Sequence, residues 1–340
     1  MKQVTITEIA TKSGADTGTV SRILSGRARR FGISKKRADL VMSVARELGY
    51  VPNTSAQAFR TGRFGAVAMI LGFDEHVSYL TPHLMYGLDN ALAKRDMHLV
   101  VSNVPAVRPE VEALLPRVMR TSMVDGILIN YTYDAPEYVT SHFDDRGIPY
   151  IWINSRKETN AVHMDDIDAS RQITQRLLDL GHKRIDYVDP WAQGTHHTRF
   201  DREQGYSNAM VEAGLEPRVW KSATPPVFDD DIEPIIKAML NAQNRPTAVI
   251  AYWFNCVPTI IREASVRGLR VPEDLSIATF GPERMEGLNL KVSAMLEQTY
   301  TMGTAGVEML CEIIDGDNTE LPSRKLPYTW CDGGTIHPVP

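Results

Sequence analysis

Seven short apolar runs recur after residue 64: AVAMIL, HLVVSN, GILIN, YIWIN, RIDYVD, AVIAYW and LSIATF. Each is followed by ten or more helix-compatible residues. A strand that is followed by a helix before the next strand begins builds a parallel sheet covered by helices, so this stretch is expected to be α/β. Residues 64–340 reach the size, about 250–300 residues, at which one hydrophobic core gives way to two. Two lobes are therefore expected.

The residues before this stretch have the opposite charge. The first 63 residues hold 12 Lys/Arg against 4 Asp/Glu, whereas the remaining 277 hold 25 against 38. The chain's formal net charge of −5 conceals this split. A small basic head on a large acidic body points to a module that meets a polyanion, with clustering on a solvated face as the alternative.

Within the head the pattern is helix, tight turn, helix. Thr5 and Glu8 have capping-box spacing, which predicts a helix from Ile6 with Ile9 and Ala10 inward. Gly14 breaks it where a turn needs positive φ. Asp16 caps a second helix over TGTVSRIL. At about 100° per residue Val20, Ile23 and Leu24 share one face, and Thr17, Gly18, Ser21 and Arg22 the other. That outer face is small and polar and ends in one guanidinium. It suits a major groove, where short side chains permit close approach and Arg takes guanine O6 and N7 together. Thr5, Thr17, Gly18, Thr19, Ser21 and Arg22 are the head's candidate DNA contacts. A third helix from Ser34 buries Val41, Val44, Ala45 and Leu48 and stops at Gly49.

VTITEIATKSG, TVSRILSG, ARELGYVPN and AFRTGR resemble the N-terminus of lactose-repressor (LacI/GalR) family regulators. RGIPYIWIN, LLDLGHKRIDYV, REQGY, RPTAVIA and LRVPEDLSIATFG continue the likeness through the body in the family's order. The resemblance implies an N-terminal all-α helix-turn-helix domain (1–52), a hinge helix (53–63), and an α/β two-lobed, periplasmic-binding-protein-like domain for effector binding and dimerisation (64–340). It implies a transcriptional regulator, a repressor of a carbohydrate-utilisation operon, that binds palindromic double-stranded operator DNA as a homodimer. An enzyme or plain binding protein with an incidental basic head is the alternative. Arg27, Arg29 and Arg30 lie in a loop, GRARRFGIS, about three residues longer than the family's, and either contact phosphates or form a solvated loop.

In the hinge segment the resemblance places Asn53, Ala56 and Phe59 at the minor groove. Phe59 stands at the position of the wedge that kinks the duplex, or it anchors the linker on the body. Among effector positions, Arg202 of REQGY matches a guanidinium that holds sugar hydroxyls or a carboxylate. Asn154 ends the strand YIWIN, and Tyr79 and Leu80 follow the first strand. Tyr131 and Tyr133 end the third strand. Each of these contacts effector or serves as ordinary packing. Two departures stand out: Trp253 and Phe254 replace the family's Asn-Asp, and Gly281 and Pro282 replace its Asp-Asp. A cleft that keeps a cation and loses these acceptors is expected to prefer a sugar acid or sugar phosphate to a neutral hexose.

Other chemistry is weak. Adjacent His196 and His197 are expected to point apart and offer no metal set. Asp165, Asp166 and Asp168, like Asp229, Asp230 and Asp231, read as helix-opening acids. No phosphate loop, dinucleotide fingerprint or nucleophile elbow occurs, so neither a cofactor nor a metal is expected. Three widely spaced cysteines and the absence of an apolar leader fit the reducing cytoplasm, with the protein on the nucleoid. The C-terminal YTWCDGGTIHPVP carries no heptads, so a dimer is expected rather than a tetramer.

Overall fold

The computed structural model describes residues 4–50, 62–72, 78, 80–105, 116–121, 123–131, 135–190, 196–221, 232–282, 291–316 and 318–339. Met1–Phe64 and Gly65–Pro340 are separate compact units. Asn53, Ala56, Phe59, Tyr79, Tyr133 and Asp229 to Asp231 lie outside the described residues.

The first unit holds α1 (Ile6–Ser13), α2 (Thr17–Leu24) and α3 (Lys35–Leu48). Thr5 and Glu8 form the reciprocal capping box, and Gly14 closes α1 at φ 64°. Asp16 caps α2 by accepting from the Thr19 N–H, and Ser34 caps α3 by accepting from the Arg37 N–H. Ile9, Ala10, Val20, Ile23, Val41, Val44 and Ala45 make one small core. The Arg37 guanidinium donates to the Gly14 carbonyl and ties α3 to the turn between α1 and α2.

The second unit has two six-stranded sheets. The first runs in the order β11–β5–β4–β3–β1–β2, from β1 (Ala66–Gly72), β2 (His98–Val104), β3 (Gly126–Asn130), β4 (Tyr150–Ile153), β5 (Ala161–Met164) and β11 (Arg324–Leu326). The second runs β12–β10–β9–β8–β6–β7, from β6 (Ile185–Asp189), β7 (Arg218–Lys221), β8 (Ala248–Ala251), β9 (Ser276–Pro282), β10 (Ser293–Glu297) and β12 (Thr329–Cys331). Among the described residues, every pairing of these strands is parallel except β10 with β12. The seven expected strands form. The five unexpected ones have three to five residues, and four of those carry charged side chains or lie at a sheet edge, so no apolar run marks them.

Helices α4 (Pro82–Ala93), α5 (Arg117–Thr121) and α6 (Glu137–Asp144) follow strands of the first sheet. Helices α7 (Asp166–Asp179), α8 (His197–Glu212), α9 (Glu233–Asn241) and α10 (Val257–Val266) precede or follow strands of the second. Helix α11 (Thr299–Asp315) follows β10 but returns to the first lobe, where Met302, Val307 and Leu310 join Leu84, Leu88 and Met69 in one core. Among the described residues the chain thus passes between lobes three times: from β5 to α7, from β10 to α11, and from β11 to β12.

Glycines set the two closest helix contacts. A Cβ at Gly87 of α4 would lie 2.2 Å from the Tyr300 carbonyl oxygen at the start of α11, and one at Gly303 would lie 2.7 Å from that of Leu84. A Cβ at Gly205 of α8 would lie 2.2 Å from the Ile167 carbonyl oxygen in the first turn of α7. That approach brings Arg202, one turn earlier on α8, to the N-terminus of α7. Gly205→Ala should therefore force the helices apart and destabilise the second unit by roughly 1–3 kcal/mol or more. Urea denaturation of parent and variant would measure the loss.

Candidate nucleic-acid interface and ligand cleft

On α2, Val20 and Ile23 are buried, whereas Thr17 and Arg22 are exposed and Gly18 and Ser21 half-buried. The expected two-faced helix is present, with its small polar face toward solvent. The Thr19 hydroxyl donates to Asp16 Oδ2 at 2.6 Å, and this bond with the backbone bond from Thr19 holds the Asp16 carboxyl below its usual range. Thr5 is likewise engaged: its hydroxyl accepts from the Glu8 N–H at 3.3 Å and donates to Glu8 Oε2 at 3.1 Å. Thr5 caps α1, and Thr19 donates to Asp16, the cap of α2. Thr17, Gly18, Ser21 and Arg22 form the outward surface.

In the second unit, Arg202 is 1% exposed and gathers all three interlobe crossings. Its Nε donates to Asp166 Oδ1 at 2.7 Å, on the β5–α7 crossing. Its Nη2 donates to Glu297 Oε1 at 3.0 Å, on the β10–α11 crossing, and to Tyr328 Oη at 2.7 Å, on the β11–β12 crossing. Nη1 donates to the Tyr252 carbonyl at 3.0 Å. Tyr328 in turn donates to Asp166 Oδ1 at 2.7 Å. The rings of Phe280, Tyr252 and Trp253 lie 4.5, 5.1 and 5.3 Å from the guanidinium carbon. A guanidinium suits this place because a planar fork of five donors can serve several acceptors at once.

Beside this network the lobes touch at the carboxyl ends of their strands. Asn154, just past β4, adopts φ 57°, a left-handed turn that Asn tolerates. Its carbonyl accepts from His196 Nε2 at 2.9 Å, across the gap to the N-cap of α8. Arg156 pairs with Asp201 across the same gap. His196 Nδ1 and Tyr252 Oη each share a hydrogen bond with Thr198 Oγ1, at 2.8 and 2.9 Å. The His196 and His197 rings do not point apart as expected: their centroids are 4.4 Å apart, because His196 is extended while His197 opens the helix. Burial holds His196 below its usual pKa and, with the neighbouring His196 and His163, takes His197 down to about 2. His197 Nε2 and Asp166 Oδ2 face each other at 3.7 Å, buried, with no hydrogen-bond partner among the described residues.

Of the expected effector residues, the structure brings Arg202 and Trp253 together and links Asn154 to them through His196. Leu80 packs against the first lobe's core. Tyr131 is 3% exposed and donates to the Val104 carbonyl at 3.3 Å, a bond between the ends of β3 and β2. Gly281 is a buried β9 residue paired with Leu296. Asp165 caps α7 and Asp166 opens it, as the sequence indicates, and Asp166 is in addition an ion-pair partner of Arg202. As partners in this junction, Asp166, His196, Glu297 and Tyr328 escaped sequence reasoning. They lie 36, 6, 95 and 126 residues from Arg202, and no local spacing joins them.

A small-faced helix-turn-helix joined to a two-lobed α/β clasp defines the class of ligand-controlled DNA-binding regulators. Comparison with known proteins agrees. Residues 5–53 match the model for bacterial regulatory proteins of the lacI family, and residues 174–336 match a periplasmic-binding-protein-like domain. The HTH-type transcriptional regulator CelR of Thermobifida fusca is 25% identical over 342 residues, covering 96% of both chains. Catabolite control protein A of Priestia megaterium is 25% identical over 331 residues, covering 96% of this chain and 97% of that one. The fold matches that of a lac repressor dimer bound to operator and the anti-inducer ONPF, with TM-score 0.80 at 19% identity over 99% of this chain and all of the other. It also matches a CelR–cellobiose complex, with TM-score 0.65 at 23% identity over 98% of this chain and all of that one. Residues 5–53 are thus a lacI-family DNA-binding domain, residues 174–336 a periplasmic-binding-protein-like domain, and the chain is a DNA-binding transcriptional regulator. Among the described residues, no helix is long and apolar enough to cross a membrane.

Glu297 gives the Arg202 junction a measurable signature. Burial pushes its carboxyl up to about 7 from 4.5, against the opposing pull of Arg202. A raised folded-state pKa means that the stability carried by this group is full below the unfolded value and is lost as pH rises through about 7. The melting temperature of the parent should fall between roughly pH 5 and 8, and Glu297→Gln should flatten that fall. Thermal denaturation across this range would check it.

Proposed function

We propose that this chain is a homodimeric repressor of a carbohydrate-utilisation operon, acting in the cytoplasm where the chromosome is, with operator binding controlled by a sugar. The observation that carries this reading is the meeting of the three interlobe crossings on Arg202, beside Trp253 and the His196–Asn154 hydrogen bond between the lobes. A ligand that draws the lobes together must rearrange that junction, and a rearranged junction is a means of altering how two linked heads sit on DNA. Thr17, Gly18, Ser21 and Arg22 are the proposed base- and backbone-contacting surface. Asn53, Ala56 and Phe59 are the proposed minor-groove segment, on the strength of their sequence alone. Residues 1–52, 53–63 and 64–340 are the proposed domains.

The effector is best read as a neutral sugar. The anionic preference expected from the sequence rested on an unopposed Arg202, but Arg202 faces Asp166 and Glu297, Arg199 pairs with Asp189, and Arg156 with Asp201. With these cations matched, an anion entering the cleft would gain little Coulomb energy for its desolvation. Trp253 offers an apolar face to a sugar ring, and neutral imidazoles both donate and accept hydrogen bonds to hydroxyls. Cellobiose accompanies CelR in one of the related structures, which makes β-linked disaccharides sensible first probes.

Two measurements test this reading. Affinity for a palindromic duplex selected by the protein should fall by about 10³–10⁵ between roughly 50 and 200 mM salt, as six to ten phosphate contacts release counterions. A salt-insensitive affinity, or equal binding to a single half-site, would refute operator binding as a dimer. In a thermal-shift screen, a neutral mono- or disaccharide should raise the melting temperature more than any sugar acid or sugar phosphate. A larger shift from the charged compounds would restore the anionic reading.

A further inference from the structure

We propose that Phe31 is a specificity-determining residue: its ring fixes the Arg22 guanidinium in the pose that reads a base pair. The inference rests on the reading of Arg22 as a base contact and adds to it a second residue, from a different part of the chain. The Arg22 guanidinium carbon lies 4.8 Å from the centroid of the Phe31 ring. A Cβ at Gly18, one turn back on α2, would lie 4.0 Å from Arg22 Nη1. The guanidinium therefore lies back along its own helix, with bare glycine backbone on one side and an aromatic ring on another.

The segment that supplies the ring is built to hold it outside. Arg29–Phe31 form a 3₁₀ turn between α2 and α3. The Arg27 N–H donates to the Arg22 carbonyl at 2.9 Å, the Phe31 N–H to the carbonyls of Arg27 and Ala28, each at 3.3 Å, and the Ile33 N–H to the Ala28 carbonyl at 3.0 Å. Ala28 and Ile33, at either end of the turn, pack on the first unit's core. Gly32, at φ 65°, turns the chain between them. Phe31 is left 51% exposed, whereas Ala28 and Ile33 on either side face inward. An aromatic side chain held at the surface by a hydrogen-bonded turn, against a cation, is placed for that cation rather than for the core.

The chemistry favours base reading. A guanidinium that lays its flat face on a ring keeps the N–H groups in its plane available to guanine O6 and N7. An unrestrained arginine gives up much rotamer freedom when it binds, and a side chain already held by packing gives up less. Exposed Arg29 and Arg30 sit in the same turn as Phe31, where they face the same polyanion.

The test uses the full-length chain. A duplex is first selected from a pool of randomised palindromes, and each half-site base pair is then substituted in turn and its binding measured at fixed salt. Arg22→Ala should abolish preference at one base pair. Phe31→Ala should reduce preference at that same pair about two- to fivefold, the scale of an exposed cation–π contact, and Phe31→Tyr should retain it. In the Arg22→Ala/Phe31→Ala double variant the phenylalanine change should add nothing. Because the ring is half-exposed, the melting temperature should be unchanged, which separates this role from a folding defect. Phe31→Ala with preference intact at a pair that Arg22→Ala abolishes overturns the proposal and leaves Arg22 as a reader. Additive losses, uniform across all base pairs, also overturn it and assign Phe31 to the DNA backbone. Should Arg22→Ala alter no preference, the base-reading assignment itself fails, and the clamp with it.

Discussion

One guanidinium organises the larger unit. Three separate chain crossings join the lobes, and each sends one acceptor to Arg202: a carboxylate from Asp166, a carboxylate from Glu297 and a phenol from Tyr328. None of these groups is tolerable alone in a buried site. A solitary buried carboxylate is strongly disfavoured, and a buried guanidinium more so, whereas the assembled set satisfies most of its donors and acceptors. The junction is therefore specific before it is stabilising: it admits few arrangements of the three crossings. The raised pKa of Glu297 is the residue of that compromise, a carboxyl held close to giving up its charge even beside a cation.

The contrast with the first unit is instructive. There the fold follows from local rules, and the sequence reading and structure agree closely. Thr5 with Glu8, Asp16, Ser34, Gly14 and Gly49 sit at helix ends as their types dictate, and the apolar stripes of three helices meet in one core. Capping and helical periodicity act over three or four residues, so they can be read from a single chain. The alternation of apolar runs and helices likewise specified a parallel α/β body, because each strand needs a crossover before its neighbour.

What escaped reading was everything assembled from distant segments. Arg202 stood out through its motif, but nothing near it in sequence signals Asp166, Glu297 or Tyr328. Asp166 in particular sits among acids at a helix start, where capping is the ordinary role, and only the crossing of α7 beneath α8 converts it into a partner for a cation. The two adjacent histidines illustrate the same limit. Their separation on a regular helix would have divided them, yet a helix begins between them and sets the rings together. Short strands such as AVHM and RVWK are defined by the sheet that receives them, not by their composition.

The contact of α4 with α11 has a mechanical meaning. Gly87 meets the backbone of Tyr300, three residues beyond Glu297, with no side chain between them. Side chains at an interface act as compliant padding, able to change rotamer when one helix shifts. Bare backbone against backbone has no such give. A twist applied where the chain leaves β10 would thus reach α4 undamped within a single helical turn, so the two helices must swing as one stiff spar.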